Sequence, residues 1–201
     1  MVGMNFTLLD RCMVAPGAER PPDLFHVARY WRIFMPVPNP VTPPEYLSIG
    51  RVWMYRRRQR LAYDGVNTAE SSTYNGRSAA LTFRTIPMAN PQAVTDAWTS
   101  GIANPVNQWI EVDFGAEREV DEVVLVPLMF RNGIRNPQTL EIQCSDDGQA
   151  WIGLARAVAL DWTDGEPKGF AINMPRLRIA PVSRWPGEQR KPVTVTGPGE
   201  L

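Results

Sequence analysis

The chain has 201 residues, 44% hydrophobic and 21% charged, with 21 basic and 21 acidic side chains and a formal net charge of zero. That length accommodates one domain whose core needs no metal or disulfide to hold it. The balanced charge gives no electrostatic drive toward nucleic acid or an anionic membrane, and no segment approaches the ~20 apolar residues of a membrane span.

Nineteen prolines and fifteen glycines cut the chain into short pieces and argue against long helices. Residues 1–27 hold one apolar-helical hint, MNFTLLDRCMV, too short to stand as a helix. No basic segment precedes it, so no secretory signal is expected. ARYWRIFM (28–35) and YLSIGRVWMYR (46–56) are rich in aromatic and β-branched residues and read as strands. The five prolines of residues 36–44 between them make a stiff loop. In WIEVDF, Ile110, Val112 and Phe114 alternate with Trp109, Glu111 and Asp113, the pattern of a half-buried strand. AEREVDE is read as the connection to VVLVP, which is apolar on both faces. Leu140, Ile142 and Cys144 alternate with Glu141, Gln143 and Ser145, and SDDG supplies hairpin-turn chemistry before the next strand. GFAINM (169–174) and RLRIAP (176–181) are the last strand candidates, and the proline-rich residues 181–201 are read as an extended arm. The class is all-β. The division expected is an N-terminal arm (1–27), a β-sandwich (28–180) and a C-terminal arm (181–201).

Catalytic signatures are missing. The one histidine, His26, precedes a strand and reads as a packing or surface residue. No GxSxG, HExxH, CxxC or GxxxxGK[ST] occurs. Glu111, Asp113, Glu117, Glu119, Asp121 and Glu122 read as the solvated faces and turn of one hairpin, and RRRQR (56–60) as a solvated strand edge. The two cysteines, Cys12 and Cys144, are far apart; their spacing does not say whether they pair, and free thiols are the expectation. The reading is a protein that is not an enzyme.

Four pieces in order carry a family likeness: AWTSG (97–101), NQWIEVDFG (107–115), EVDEVVLVP (119–127) and PQTLEIQCSDDGQAW (137–151), with AESSTYNGRSAA (69–80) ahead of them. Together they resemble the discoidin domain, also called the coagulation factor five/eight type C domain, of the galactose-binding-like superfamily. The resemblance implies a jelly-roll β-sandwich whose loops at one end carry the ligand. In that family, strands of the ARYVRI and SLSEIEVY kinds close the domain at its C-terminus. Here ARYWRI and YLSIGRVWMY come first, so a circularly permuted strand order is expected. Trp31, Ile33, Leu47, Ile49 and Trp53 are then expected to share one core with Ile110, Val112, Val124 and Leu140. The alternative is that the early strands complete a neighbouring subunit.

The resemblance also directs attention to the loops. Sugar sites combine an aromatic platform with planar hydrogen-bonding groups. Tyr74, Asn75 and Arg77 in the first loop, and Arg131, Asn132 and Arg135 in MFRNGIRNPQ (129–138), are the candidate ligand-binding residues. Trp98 is assigned to the core. No cofactor is expected. The family's calcium-binding aspartate–glycine pair is replaced by Pro91 and Gln92, leaving Asn90, Asp96 and backbone carbonyls as hard-oxygen donors there.

Such domains work at cell surfaces, yet no export signal is read here. A phage virion protein, assembled in the host cytoplasm and released by lysis, reconciles the two, and the RYWRI strand resembles modules of phage structural proteins. The expectation is therefore a homo-oligomeric tail or fibre protein that binds a cell-surface glycan and other virion proteins, without nucleic acid or membrane insertion. A structural adaptor or decoration protein, and an accessory carbohydrate-binding domain of a glycosidase, are the alternatives.

Overall fold

The computed structural model describes residues 26–37, 45–103 and 105–172, with the backbone of Val195 and Thr196. Among them are twelve strands and three 3-10 turns, with no α-helix. The strands are β1 (His26–Met35), β2 (Tyr46–Ile49), β3 (Arg51–Arg56), β4 (Gln59–Arg60), β5 (Asn67–Glu70), β6 (Trp98–Ala103), β7 (Gln108–Val120), β8 (Glu122–Val126), β9 (Leu140–Ser145), β10 (Ile152–Ala157), β11 (Lys168–Ala171) and β12 (Val195–Thr196). One sheet has the order β12-β10-β9-β1-β7-β5, a second β11-β8-β3-β4, and β2 pairs with β6. All pairings are antiparallel. The inward faces of the sheets meet in a single core, which makes the fold an all-β sandwich.

β1 occupies the middle of the larger sheet, with β7 on one side and β9 on the other. Its inward residues Trp31, Ile33 and Met35 are fully buried beside Ile110, Val112, Leu140 and Ile142. The strand changes phase between Ala28 and Tyr30, opposite a bulge in β7 that holds Gly115 at φ 71°. Both Ala28 and Trp31 therefore point inward, and the Trp31 indole N–H donates to the Ala28 carbonyl at 3.1 Å. β12, the only part of the expected C-terminal arm among the described residues, adds to the edge of this sheet by pairing with β10. The expected N-terminal arm up to residue 25, the 176–181 strand candidate and most of the 36–44 loop lie outside the described residues.

Several local expectations change. Residues 46–56 are two strands in different sheets, divided at Gly50, where a Cβ would meet the Val126 carbonyl at 2.8 Å and the Met88 side chain at 2.6 Å. The 116–122 connection is mostly strand: β7 runs on to Val120, and Asp121 alone separates it from β8. β7 and β8 do not pair, because they belong to opposite sheets. Their carboxylates are thus not on one hairpin. Glu119 pairs with Arg56 at 2.5 Å, and Asp121 accepts from the Arg57 amide. The basic run is a two-residue hairpin turn, with Arg57 and Arg58 at φ 48° and 70°. Trp53 and Val124 lie outside the central core, in a separate cluster with Tyr55 on the outer face of the four-stranded sheet. The two-residue period decides this: Val52 and Met54 take the inner face of β3, so Trp53 cannot. Cys144 is fully buried in β9 and disulfide-bonded, which overturns the free-thiol expectation; Cys12 lies outside the described residues.

Each large apolar side chain buried by β1 stabilises the fold by roughly 1.5–3 kcal/mol, against the ~5–15 kcal/mol of a typical domain. Deleting residues 1–56 should therefore abolish cooperative unfolding by calorimetry, and a stable, cooperatively melting 57–201 fragment would contradict the central role of β1 and β3. A second test concerns His26, which is 4% exposed and whose Nδ1 has no partner among the described residues. Burial pushes its pKa from 6.5 down to about 4. The unfolded chain then binds more protons than the folded one between those values, so stability is complete above the higher and falls as pH drops toward the lower. Glu111, whose pKa burial raises, has the opposite sign. The comparison is therefore with His26→Gln: between about pH 7 and pH 5, urea melts of the native chain should lose about 2 kcal/mol more than the variant.

Candidate functional site

Two loops come together beside β2. The first, residues 71–78, is held against β6 by the backbone: the Tyr74 amide donates to the Thr99 carbonyl at 2.9 Å and the Thr99 amide to the Arg77 carbonyl at 3.1 Å. The fully buried Trp98 fixes its base, its indole N–H donating to the Ser72 carbonyl at 3.0 Å. Trp98 is therefore a core residue that also positions the loop. The tip turns through Asn75 and Gly76, at φ 47° and 74°.

The second loop, between β8 and β9, contains the 3-10 turn Phe130–Gly133. Arg131, Asn132 and Gly133 all have positive φ, at 48°, 59° and 78°. Left-handed backbone costs energy for the two residues with side chains, and is held here by tertiary contacts. Asn136, 2% exposed, accepts from the Leu128 amide at 2.8 Å and donates to the Leu128 and Gly133 carbonyls at 2.8 and 2.9 Å. Gly133 has no room for a side chain, since a Cβ there would lie 2.9 Å from the Trp162 carbonyl. The Ser48 amide donates to the Arg135 carbonyl at 2.7 Å, tying the loop to β2.

The side chains form a ladder of stacked cations and rings. Arg77 lies over Tyr74 at 5.1 Å, and Tyr74 meets Tyr46 at 4.9 Å between ring centroids. Arg135 lies over Tyr46 at 5.4 Å and over Phe130 at 4.3 Å, and Arg131 over Phe130 at 5.2 Å. The Glu45 carboxylate accepts from Arg131 Nη1 at 2.6 Å and from Arg135 Nε at 2.9 Å. Arg135 is 12% exposed and Arg131 60%. Arg135 is thus a fixed base for the ladder, while Arg131 reaches solvent.

Of the residues picked from the sequence, Tyr74, Arg77, Arg131 and Arg135 are joined by this ladder. Asn75 and Asn132 are exposed at the two loop tips, with no side-chain hydrogen bond among the described residues. The structure adds Glu45, Tyr46 and Phe130. Tyr46 carries one weak signal, an aromatic opening a strand next to a loop. Nothing in the spacing links Glu45 to arginines more than eighty residues away.

The Asp96 donors are engaged otherwise. Arg51, fully buried, donates to the Asp96 carbonyl at 2.6 Å and carboxylate at 2.7 Å, and to the Ile86 and Gly50 carbonyls at 3.0 and 2.9 Å. Asn90 Oδ1 accepts from the Gln92 amide. Among the described residues no group of three or more His, Cys, Asp or Glu side chains is arranged to hold a metal, and no helix is long and apolar enough to cross a membrane.

No curated protein and no solved structure matches the chain. One protein family does: the F5/8 type C domain matches residues 66–189, more than half the chain. The matched stretch begins after β4, so β1 and β3, central in their sheets, precede it. Domains of this family are ligand-binding modules and generally non-catalytic. With an all-β sandwich, paired loops beside β2 and this match over its larger part, the chain belongs to the F5/8 type C domain family.

Proposed function

We propose that this chain binds carbohydrate through the ladder formed by Tyr46, Tyr74, Phe130, Arg77, Arg131 and Arg135. The observation that carries this reading is the stacking of rings and guanidiniums across two loops that meet. A pyranose presents an apolar face and a rim of hydroxyls. Half-buried Tyr74 offers contact to the first, while Arg77, Arg131 and the exposed amides of Asn75 and Asn132 offer directed hydrogen bonds to the second.

We read the strand order as a circular permutation of the family's, since β1 and β3 precede the matched stretch and yet fill central positions. We further propose an extracellular assembly, a phage tail or fibre, as the setting, with other virion proteins as neighbours and more than one copy per particle. The RYWRI resemblance supports this, and a disulfide at Cys144 suits a protein that works outside the reducing cytoplasm. The same site would serve an accessory domain of a glycosidase. A purely structural adaptor has less support, because it gives no role to a half-exposed ladder held on strained loops.

The fold is proposed to need no calcium, because the Arg51 guanidinium already supplies a cation to the Asp96 oxygens. Chelator should leave the melting temperature unchanged in calorimetry, and a fall of several degrees would show a structural ion. For the ladder, Tyr74→Ala combined with Arg131→Ala should abolish binding on a glycan array. Stability should change by less than about 1 kcal/mol, as expected for partly exposed loop side chains. Retained glycan binding in the double variant would place the site elsewhere.

A further inference from the structure

The charge of the ladder narrows its ligand. It holds three arginines, Arg77, Arg131 and Arg135, against one carboxylate, Glu45. The whole chain is formally neutral, so this surplus is local. The surplus sits at the two ends. Arg77 stacks on Tyr74 and has no ion pair or side-chain hydrogen bond among the described residues. Arg131 gives Glu45 one nitrogen, Nη1, and is 60% exposed, which leaves the rest of its fork open to solvent. Glu45 itself shows what these guanidiniums hold: one oxygen lies 2.6 Å from Arg131 and the other 2.8 Å from Arg135. Guanidinium matches a planar carboxylate with directed bonds, about twice as strong as neutral ones. The rings between the arginines are partly buried, so a ligand lying on them would displace water from both stack and fork.

We infer that the ligand is an acidic sugar, a pyranose bearing a carboxylate, with its ring on Tyr74 and its carboxylate on the free edge of Arg77 or Arg131. This rests on the carbohydrate reading above and adds the substrate class. Glu45 stays in place, holding Arg135 and one edge of Arg131 so that the remaining donors face outward. Anionic lipid offers related chemistry: the two loop tips expose only Asn75, Gly76, Arg131 and Asn132, but Ile102 and Val106 are exposed on the β6–β7 segment next to Tyr46, so vesicles form an arm of the test.

The test uses the full chain on an array of paired glycans, each uronic or sialic acid sugar beside its methyl ester, with sulfated sugars and phosphatidylserine vesicles as further arms. The ester keeps the ring and removes the charge. The acid should bind about tenfold more tightly than its ester at low salt, and the advantage should shrink as salt rises. The acid-to-ester ratio should fall toward one in Arg77→Gln or in Arg131→Gln, whichever arginine holds the carboxylate, and an unchanged ratio in both overturns the inference. Arg77→Gln breaks no ion pair among the described residues, so it keeps the test valid should Arg131→Gln disturb Glu45. Equal binding of acid and ester overturns the inference and leaves the carbohydrate reading standing. Binding to sulfated but not carboxylated sugars overturns the carboxylate assignment. Binding to no glycan, with or without binding to vesicles, overturns both.

Discussion

The structure depends on β1 being held from both sides. A strand paired with β7 and β9 at once has its backbone donors and acceptors satisfied within the sheet, and its inward face closes the core against the second sheet. Trp31 is the largest of these inward groups, fully buried, with its one polar atom bonded to the bulge at Ala28. Outward, Arg29 pairs with Asp113 at 2.7 Å, and this ion pair holds the Asp113 carboxyl below its ordinary range. Arg32 stacks 3.9 Å over Trp151 and donates to Gln143, tying β1 to the β9–β10 hairpin on the solvent side. A segment that precedes the matched family region is thus the one on which the region's own strands assemble.

From this frame the loops inherit their rigidity. Buried groups at their bases, Trp98 under the first and Asn136 under the second, convert core packing into fixed loop geometry. Positive φ at Asn75, Arg131 and Asn132 is energetically unfavourable in isolation and persists because those bases leave the tips no other path. A preorganised site loses less entropy when a ligand arrives. Arg51 plays a related part beneath β6, where one guanidinium gathers the Gly50, Ile86 and Asp96 carbonyls and the Asp96 carboxylate. Burial lowers its pKa, while the Asp96 bond and charge act in the other direction and favour the charged form.

The ladder gathers three regions of the chain: the start of β2, the 71–78 loop and the β8–β9 loop. Tyr46 connects the other two, touching Tyr74 on one side and Arg135 on the other. Since β2 pairs with β6, and β6 carries the first loop, the pairing that shapes the sandwich also brings the rings together.

Much of this was legible from the residues alone. Two-residue alternation in WIEVDF and LEIQCS determined the class and the inward faces of β7 and β9, because a pleated strand can bury only every second side chain. Turn chemistry at SDDG determined the β9–β10 hairpin, and the ordered motifs determined the family. Tyr74, Arg77, Arg131 and Arg135 were readable as loop aromatics and cations, though not as neighbours. Tertiary structure alone decided the rest. It split residues 46–56 at Gly50 by close approach of the Val126 carbonyl, sent β7 and β8 to opposite sheets, and put Trp53 and Val124 on an outer face. It also brought Glu45 to Arg131 and Arg135. The physical reason is common to all of these. Alternation and turn signals are local properties of a few residues, whereas the sheet a strand joins, and the charge that finds a distant partner, follow from how the whole chain closes around one core.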